Sequence, residues 1–169
     1  MRSVASIALV LLVACRESPT RRTLGGPIAR WATPADTAFA AVQARGDTAM
    51  GVDQYTSTHL FEALPDGGRI ELQRDRADSA GAAQIRRHMR TIAAAFATGD
   101  FRFPGFVHDR QVPGTDVMAA RRAAITYTVE SLPRGGALRF RTADPVAVRA
   151  IHEFLAFQRR DHHADAHAR

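Results

Sequence analysis

The chain has 169 residues and a formal net charge of +6, and all 23 of its basic residues are arginine. Six of those arginines face three acids in the first 50 residues, so the remainder carries +3 from 17 Arg against 14 Asp and Glu, scattered with no basic stripe interleaved with aromatics. That distribution argues against a nucleic-acid partner, and a single cysteine excludes an internal disulfide.

The first element is a secretory signal over residues 1–14. Arg2 supplies the charged start and Val4–Val13 the apolar core. As a helix that run spans about 15 Å, against a hydrocarbon core of about 30 Å, so it cannot serve as a permanent anchor. Leu12-Val13-Ala14-Cys15 resembles the lipobox of bacterial lipoproteins. The resemblance implies that Cys15 is acylated and becomes the first mature residue, with the membrane as a partner through the lipid. An ordinary cleaved signal with an incidental cysteine is the other reading. Arg16 stands where the sorting pattern of such lipoproteins reads a non-aspartate as outer-membrane delivery. The expected location is therefore the cell envelope, on the outer membrane facing the periplasm.

Residues 15–50 read as the lipidated cysteine, a flexible tether rich in Arg, Ser, Thr, Pro and Gly, and one short helix. Thr33 is placed to cap that helix, Pro34 suits its first turn and Gly46 is expected to end it.

A single domain is expected over 51–162, with halves 55–98 and 123–160. Thr58-His-Leu-Phe-Glu-Ala-Leu-Pro-Asp-Gly-Gly68 aligns without gaps on Thr126-Tyr-Thr-Val-Glu-Ser-Leu-Pro-Arg-Gly-Gly136, at an offset of 68 and with six of eleven residues identical. Each copy is an alternating run, a Pro-x-Gly-Gly turn and a second alternating run, which spells a β-hairpin. A helix follows each hairpin. In the first, Asp78 or Ser79 is the cap, Ile85, Met89, Ile92 and Phe96 form an apolar stripe, and Gly99 is the stop. In the second, Asp144-Pro145 opens the helix and Val148, Ile151, Phe154 and Leu155 turn inward.

The strands alternate. His59, Phe61, Ile70 and Leu72 share a face, matched by Tyr127, Val129, Leu138 and Phe140; Glu62, Arg69, Glu71, Gln73, Thr126, Thr128, Glu130, Arg139 and Arg141 share the other. One greasy and one charged face mean a sheet covered on one side. The fold class is thus α+β: a two-layer sandwich of a four-stranded antiparallel sheet with two helices on one face, built as an internal ββα–ββα pseudo-repeat. Residues 100–116 form a long apolar connection carrying Phe101, Phe103 and Phe106. It is expected either to close the core edge or to cover a pocket at the helix–sheet seam. Residues 163–169 read as a disordered tail.

Chemistry, if present, rests on histidine. His59 lies on the inward strand face, where its counterpart in the second copy is Tyr127, His88 borders the first helix stripe, His108 stands beside Asp109 in the long loop, and His152 follows Ile151. Neutral imidazole ligates zinc and copper, so His59, His88, His108 and His152 are the candidate metal ligands. With Asp109 and Tyr127 they are the candidate ligand-binding residues. A lone histidine at a helix–sheet seam is, however, more often a hydrogen-bonded core residue. His163 and His167 are four apart in the tail and read as a solvated helix end. No Gly-x-Ser-x-Gly elbow, His-Glu-x-x-His, Walker loop or dinucleotide fingerprint occurs, so no catalytic residue is assigned.

These segments also resemble an uncharacterised bacterial family. The features that carry it are the Pro-x-Gly-Gly hairpin, the His-bearing helix Ile85–Phe96, Gly99-Asp100-Phe101, Val107-His108 and the helix Ala150–Leu155. The resemblance spans Thr58 to His162 and implies no known activity. The expected function is a non-catalytic envelope domain holding a small ligand or metal. The alternative is an interaction module that uses the charged sheet face, or pairs edge to edge with its own copy as a homodimer.

Overall fold

The structure, a computed structural model, describes residues 34–51 and 53–164. The signal, Cys15, Thr33 and His167 lie outside the described residues. The elements in chain order are α1 (Pro34–Met50), a 3-10 turn (Gln54–Thr56), β1 (Ser57–Leu64), β2 (Gly67–Arg74), α2 (Ser79–Ala97), α3 (Arg102–His108), α4 (Thr115–Ala120), a second 3-10 turn (Arg122–Ala124), β3 (Thr126–Leu132), β4 (Gly135–Arg141) and α5 (Pro145–Asp161). No helix among the described residues is long and apolar enough to cross a membrane.

The alternating runs form the expected hairpins, each closed by a two-residue Pro-x turn. The strands make one antiparallel sheet in the order β1-β2-β4-β3. At its centre Ile70 pairs with Leu138, and Arg69 with Arg139. The turns reach across the centre as well: Arg74 N–H donates to the Arg134 carbonyl and Thr142 N–H to the Asp66 carbonyl, both at 2.9 Å. The class is α+β, with α2 and α5 forming the layer on the inner face.

Each long helix covers the hairpin it does not follow. α2 packs on β3 and β4, and α5 on β1 and β2. Asp78 starts α2 by accepting from Gly81 N–H at 2.9 Å, and Asp144 starts α5 by accepting from Val146 N–H at 2.8 Å. Ile85, Met89, Leu138, Phe140, Ile151, Phe154 and Leu155 are essentially sealed from solvent. Each such side chain stabilises the fold by about 1.5–3 kcal/mol on burial.

Two sequence expectations are corrected. Gly46 does not end α1, which runs on to Met50 and stops before Gly51, whose φ of +71° breaks the helix. Gly46 is instead a contact: a Cβ there would lie 1.5 Å from Gln54 Nε2, so the bare backbone makes room for the buried Gln54 side chain. α1 belongs to the same compact unit as the sheet, with Val42 and Met50 buried and Arg45 Nε donating to the Val107 carbonyl at 2.7 Å.

The second correction concerns residues 100–116, which are largely helical. Asp100 accepts from Arg102 N–H at 3.0 Å and starts α3. Pro104 falls in the first turn, where its missing N–H has no helical acceptor to lose. Asp109 ends α3 in the left-handed conformation at φ +53°. At the C-terminus, the His163 ring stacks on Phe39 of α1 at 4.1 Å, and Ala164 is buried.

Candidate functional site

A cavity of about 80 Å³ lies at the helix–sheet seam over the inner face of β1 and β2. The sheet supplies Phe61, Ile70 and Leu72 as its floor; α2 supplies Met89, Ile92 and Phe96; α5 supplies Phe154. α3 closes it with Phe103, Pro104 and Val107, and α1 with Gly46 and Met50. Of the three Phe in the 100–116 segment, Phe103 lines the cavity and Phe101 stacks on Phe96 at 4.5 Å, while Phe106 stays 51% exposed. The segment therefore both closes the core and covers the pocket.

Three candidate histidines meet here, His59, His88 and His108, joined by His162 from α5's C-terminal end. His59 stacks on Phe61 at 5.7 Å and on His162 at 4.9 Å. His162 in turn stands edge-on to His108 at 5.1 Å. His88 meets the Phe103 ring edge-on at 5.6 Å. Burial among apolar walls pushes His88 down to about 4. Burial, and then the neighbouring His59, His108 and His163, push His162 well below its ordinary value. Both are therefore neutral at pH 7.

His108 is a fastener. Its side chain is 1% exposed and its Nδ1 is hydrogen-bonded to Asp161 Oδ2, which faces it from α5. Its Nε2 lies 2.9 Å from the Gln158 side-chain amide, and Arg110 Nη2 donates to the other Asp161 oxygen at 2.7 Å. The chain Arg110–Asp161–His108–Gln158 pins the end of α3 to the end of α5 and holds the cavity cover down.

The other candidates lie elsewhere. His152 is half-buried on α5, and its Nε2–H donates to the Leu64 carbonyl at 2.9 Å. Asp109 is exposed at the end of α3. Tyr127 packs against Phe140 at 5.4 Å in the other half of the sheet, and burial pushes its phenol above its ordinary value. The four histidines thus do not converge on an ion. Among the described residues, no three His, Cys, Asp or Glu groups are placed to hold a metal.

Three polar cavity residues were not expected from the sequence, Gln54, Gln158 and His162. Gln54 Oε1 and His162 Nδ1 are buried without a hydrogen-bond partner in the protein. His162 was findable: Ile151, Leu155, Gln158 and His162 fall at i, i+4, i+7 and i+11, the same stripe that Ile85, Met89, Ile92 and Phe96 form in α2. Gln54, in a 3-10 turn with no period, carried no such signal.

The outer sheet face is matched within itself. Arg69 is paired with Glu71 and, at 3.2 Å, with Glu130; Arg139 is paired with Asp66, which also meets Arg141 at 3.1 Å. Central arginine side chains are only 13–19% exposed there, so little of that charge is left for a partner.

No protein-family model matches this chain, and no curated protein and no solved structure matches it either.

Proposed function

We infer that this protein is a lipid-anchored domain of the bacterial cell envelope that binds a small molecule without transforming it. Cys15 is the anchor, the tether follows it, and the cavity between α2, α3, α5 and the β1–β2 hairpin is the binding site. The observation that carries the reading is the cavity itself. A small apolar space with a few polar groups around it is the ordinary form of a ligand site. Three of the histidines chosen from the sequence line it, and two buried polar atoms of its lining lack partners, each at a cost of about 1–3 kcal/mol that a ligand could remove.

Two experiments test the halves of this reading. For binding, small organic fragments are screened by thermal unfolding of the full chain and of Ile92→Phe, which fills the cavity. Fragments that raise Tm in the parent and not in the variant support the reading; no such fragment would overturn it. For the anchor, cells are labelled with a fatty-acid analogue. Label and membrane association that disappear in Cys15→Ala support acylation, and an unlabelled parent protein overturns it.

A further inference from the structure

We propose that the molecule held in this cavity is a small neutral amphiphile, an apolar body of a few heavy atoms bearing one hydroxyl or similar hydrogen-bonding group, and that the site rejects charged molecules of the same shape. The proposal rests on the binding reading above and narrows it to a class of ligand.

Charge comes first. No Asp, Glu or Arg lines the cavity. Asp161, which meets the lining residue His108, is committed to that histidine and to Arg110, and Arg45 donates to the Val107 carbonyl. The imidazoles of His88 and His162 are neutral at pH 7 because burial disfavours their protonation. An ammonium ion or a carboxylate entering beside His88 and His162 would lose its water with no Asp, Glu or Arg of the lining to replace it, which is strongly unfavourable. A neutral molecule meets no such barrier.

Size comes second. On the scale in which a cavity of about 150 Å³ takes up benzene, a space of about 80 Å³ takes an organic body of only a few heavy atoms. Met50 and Met89 in its wall can adjust to a slightly larger one.

Polarity comes third. A purely apolar guest would leave Gln54 Oε1 and His162 Nδ1 buried and unpaired, as they stand among the protein's own groups. A hydroxyl can donate to the Gln54 oxygen or pair with the imidazole nitrogen, and its body then lies against Phe61, Leu72 and Ile92.

The test uses three probes of equal heavy-atom count: 2-methylpropan-1-ol, 2-methylpropylamine as its ammonium ion, and propanoate. The full chain, ¹⁵N-labelled, is titrated with each at pH 7 and followed by NMR. The expected result is saturable shifts at the amides of His88, Met89, Ile92 and His162 with the alcohol alone. Ile92→Phe should lose them, and Gln54→Leu, which keeps the cavity, should weaken alcohol binding about fivefold through the lost hydrogen bond. An ammonium or carboxylate probe that binds as tightly as the alcohol overturns the neutral-ligand proposal and leaves the binding reading standing. Alcohol affinity unchanged in Gln54→Leu overturns the role of the Gln54 oxygen. Shifts that persist in a folded Ile92→Phe, or no saturable shift with any probe, overturn the cavity as the binding site.

Discussion

Ile70 pairs with Leu138 across the middle of the sheet, and the two are separated by 68 residues, the offset that aligns the two Pro-x-Gly-Gly hairpins. Residues related by that offset therefore lie on opposite sides of a centre running between Ile70 and Leu138. The reciprocal hydrogen bonds obey it: Arg74 to Arg134 and Thr142 to Asp66 exchange under the same shift. The departures from the relation are informative, because they show where the packing of the two hairpins differs.

Gly68 and Gly136 are one such departure. A Cβ on Gly68 would lie 2.2 Å from Leu155 Cδ1 and 2.9 Å from the Glu62 carbonyl, whereas on Gly136 the nearest atom is the Glu130 carbonyl at 3.2 Å. Gly68→Ala should lose about 2 kcal/mol by forcing α5 off β2, as overpacking does. Gly136→Ala should lose less than about 1 kcal/mol. Urea unfolding of the two variants reads the difference, and equal losses would contradict the tighter approach of α5.

His108 holds the end of α3 to α5. His108→Ala leaves Gln158 and one Asp161 oxygen without that partner in a nearly dry site, and should cost about 3 kcal/mol. Asp161→Asn keeps an acceptor for the imidazole N–H and should cost about 1 kcal/mol. Hydrogen exchange would locate the damage: in His108→Ala, the amides of α3 should lose protection before those of the sheet.

Stability should fall with acid before the carboxylates titrate. His88 is depressed to about 4 in the folded chain, against an ordinary value of 6.5. Between those values the unfolded chain binds a proton that the folded chain refuses. The His88 contribution to stability therefore declines as pH drops from 6.5 towards 4 and levels off below, by on the order of 3 kcal/mol. His162, depressed in the same direction, steepens the decline. Urea midpoints from pH 7 to 4.5 check this, and His88→Phe should flatten the curve.

On the outer face, the number of partners separates the ion pairs. Asp66 meets both Arg139 and Arg141, whereas Glu130 meets Arg69, which is also paired with Glu71. Asp66→Ala should therefore lower stability more than Glu130→Ala, and both losses should be small, as is usual for exposed pairs. Raising salt from 0.05 to about 1 M should shrink both differences, because screening shortens the reach of exposed charges.

The sheet was readable because its information is local. Alternation at Phe61, Ile70, Leu72, Leu138 and Phe140 assigned faces, and the two Pro-x-Gly-Gly turns assigned the hairpins. The stripes on α2 and α5 announced an apolar layer. What local pattern cannot carry is which helix covers which hairpin, since either pairing buries the same residues. α3 escaped because Pro104-Gly105 reads as a loop signal, and its position in the first turn is visible only once the helix is placed. Gly46 looks like a stop because a glycine in a helix gives no sign that a side chain eight residues on will fill its empty flank.

The site was half legible. His59, His88 and His108 were picked out as chemistry-bearing residues bordering apolar faces, and they do line one space. His152 carried the same kind of signal, but its ring bonds to the end of β1. A histidine's place on a stripe fixes its depth, not the neighbour its nitrogens will find. That neighbour is set by tertiary packing, which no single segment encodes.

The crossed arrangement of helices also sets a timetable. The β1–β2 hairpin ends at Arg74, but its covering helix begins only at Pro145. A chain emerging N-terminus first has no complete hydrophobic layer to close on until nearly all of it is available. Such non-local closure slows folding. An intermediate holding residues 57–97 alone would expose the apolar side of its first hairpin, which makes truncated or stalled chains of this protein prone to aggregate.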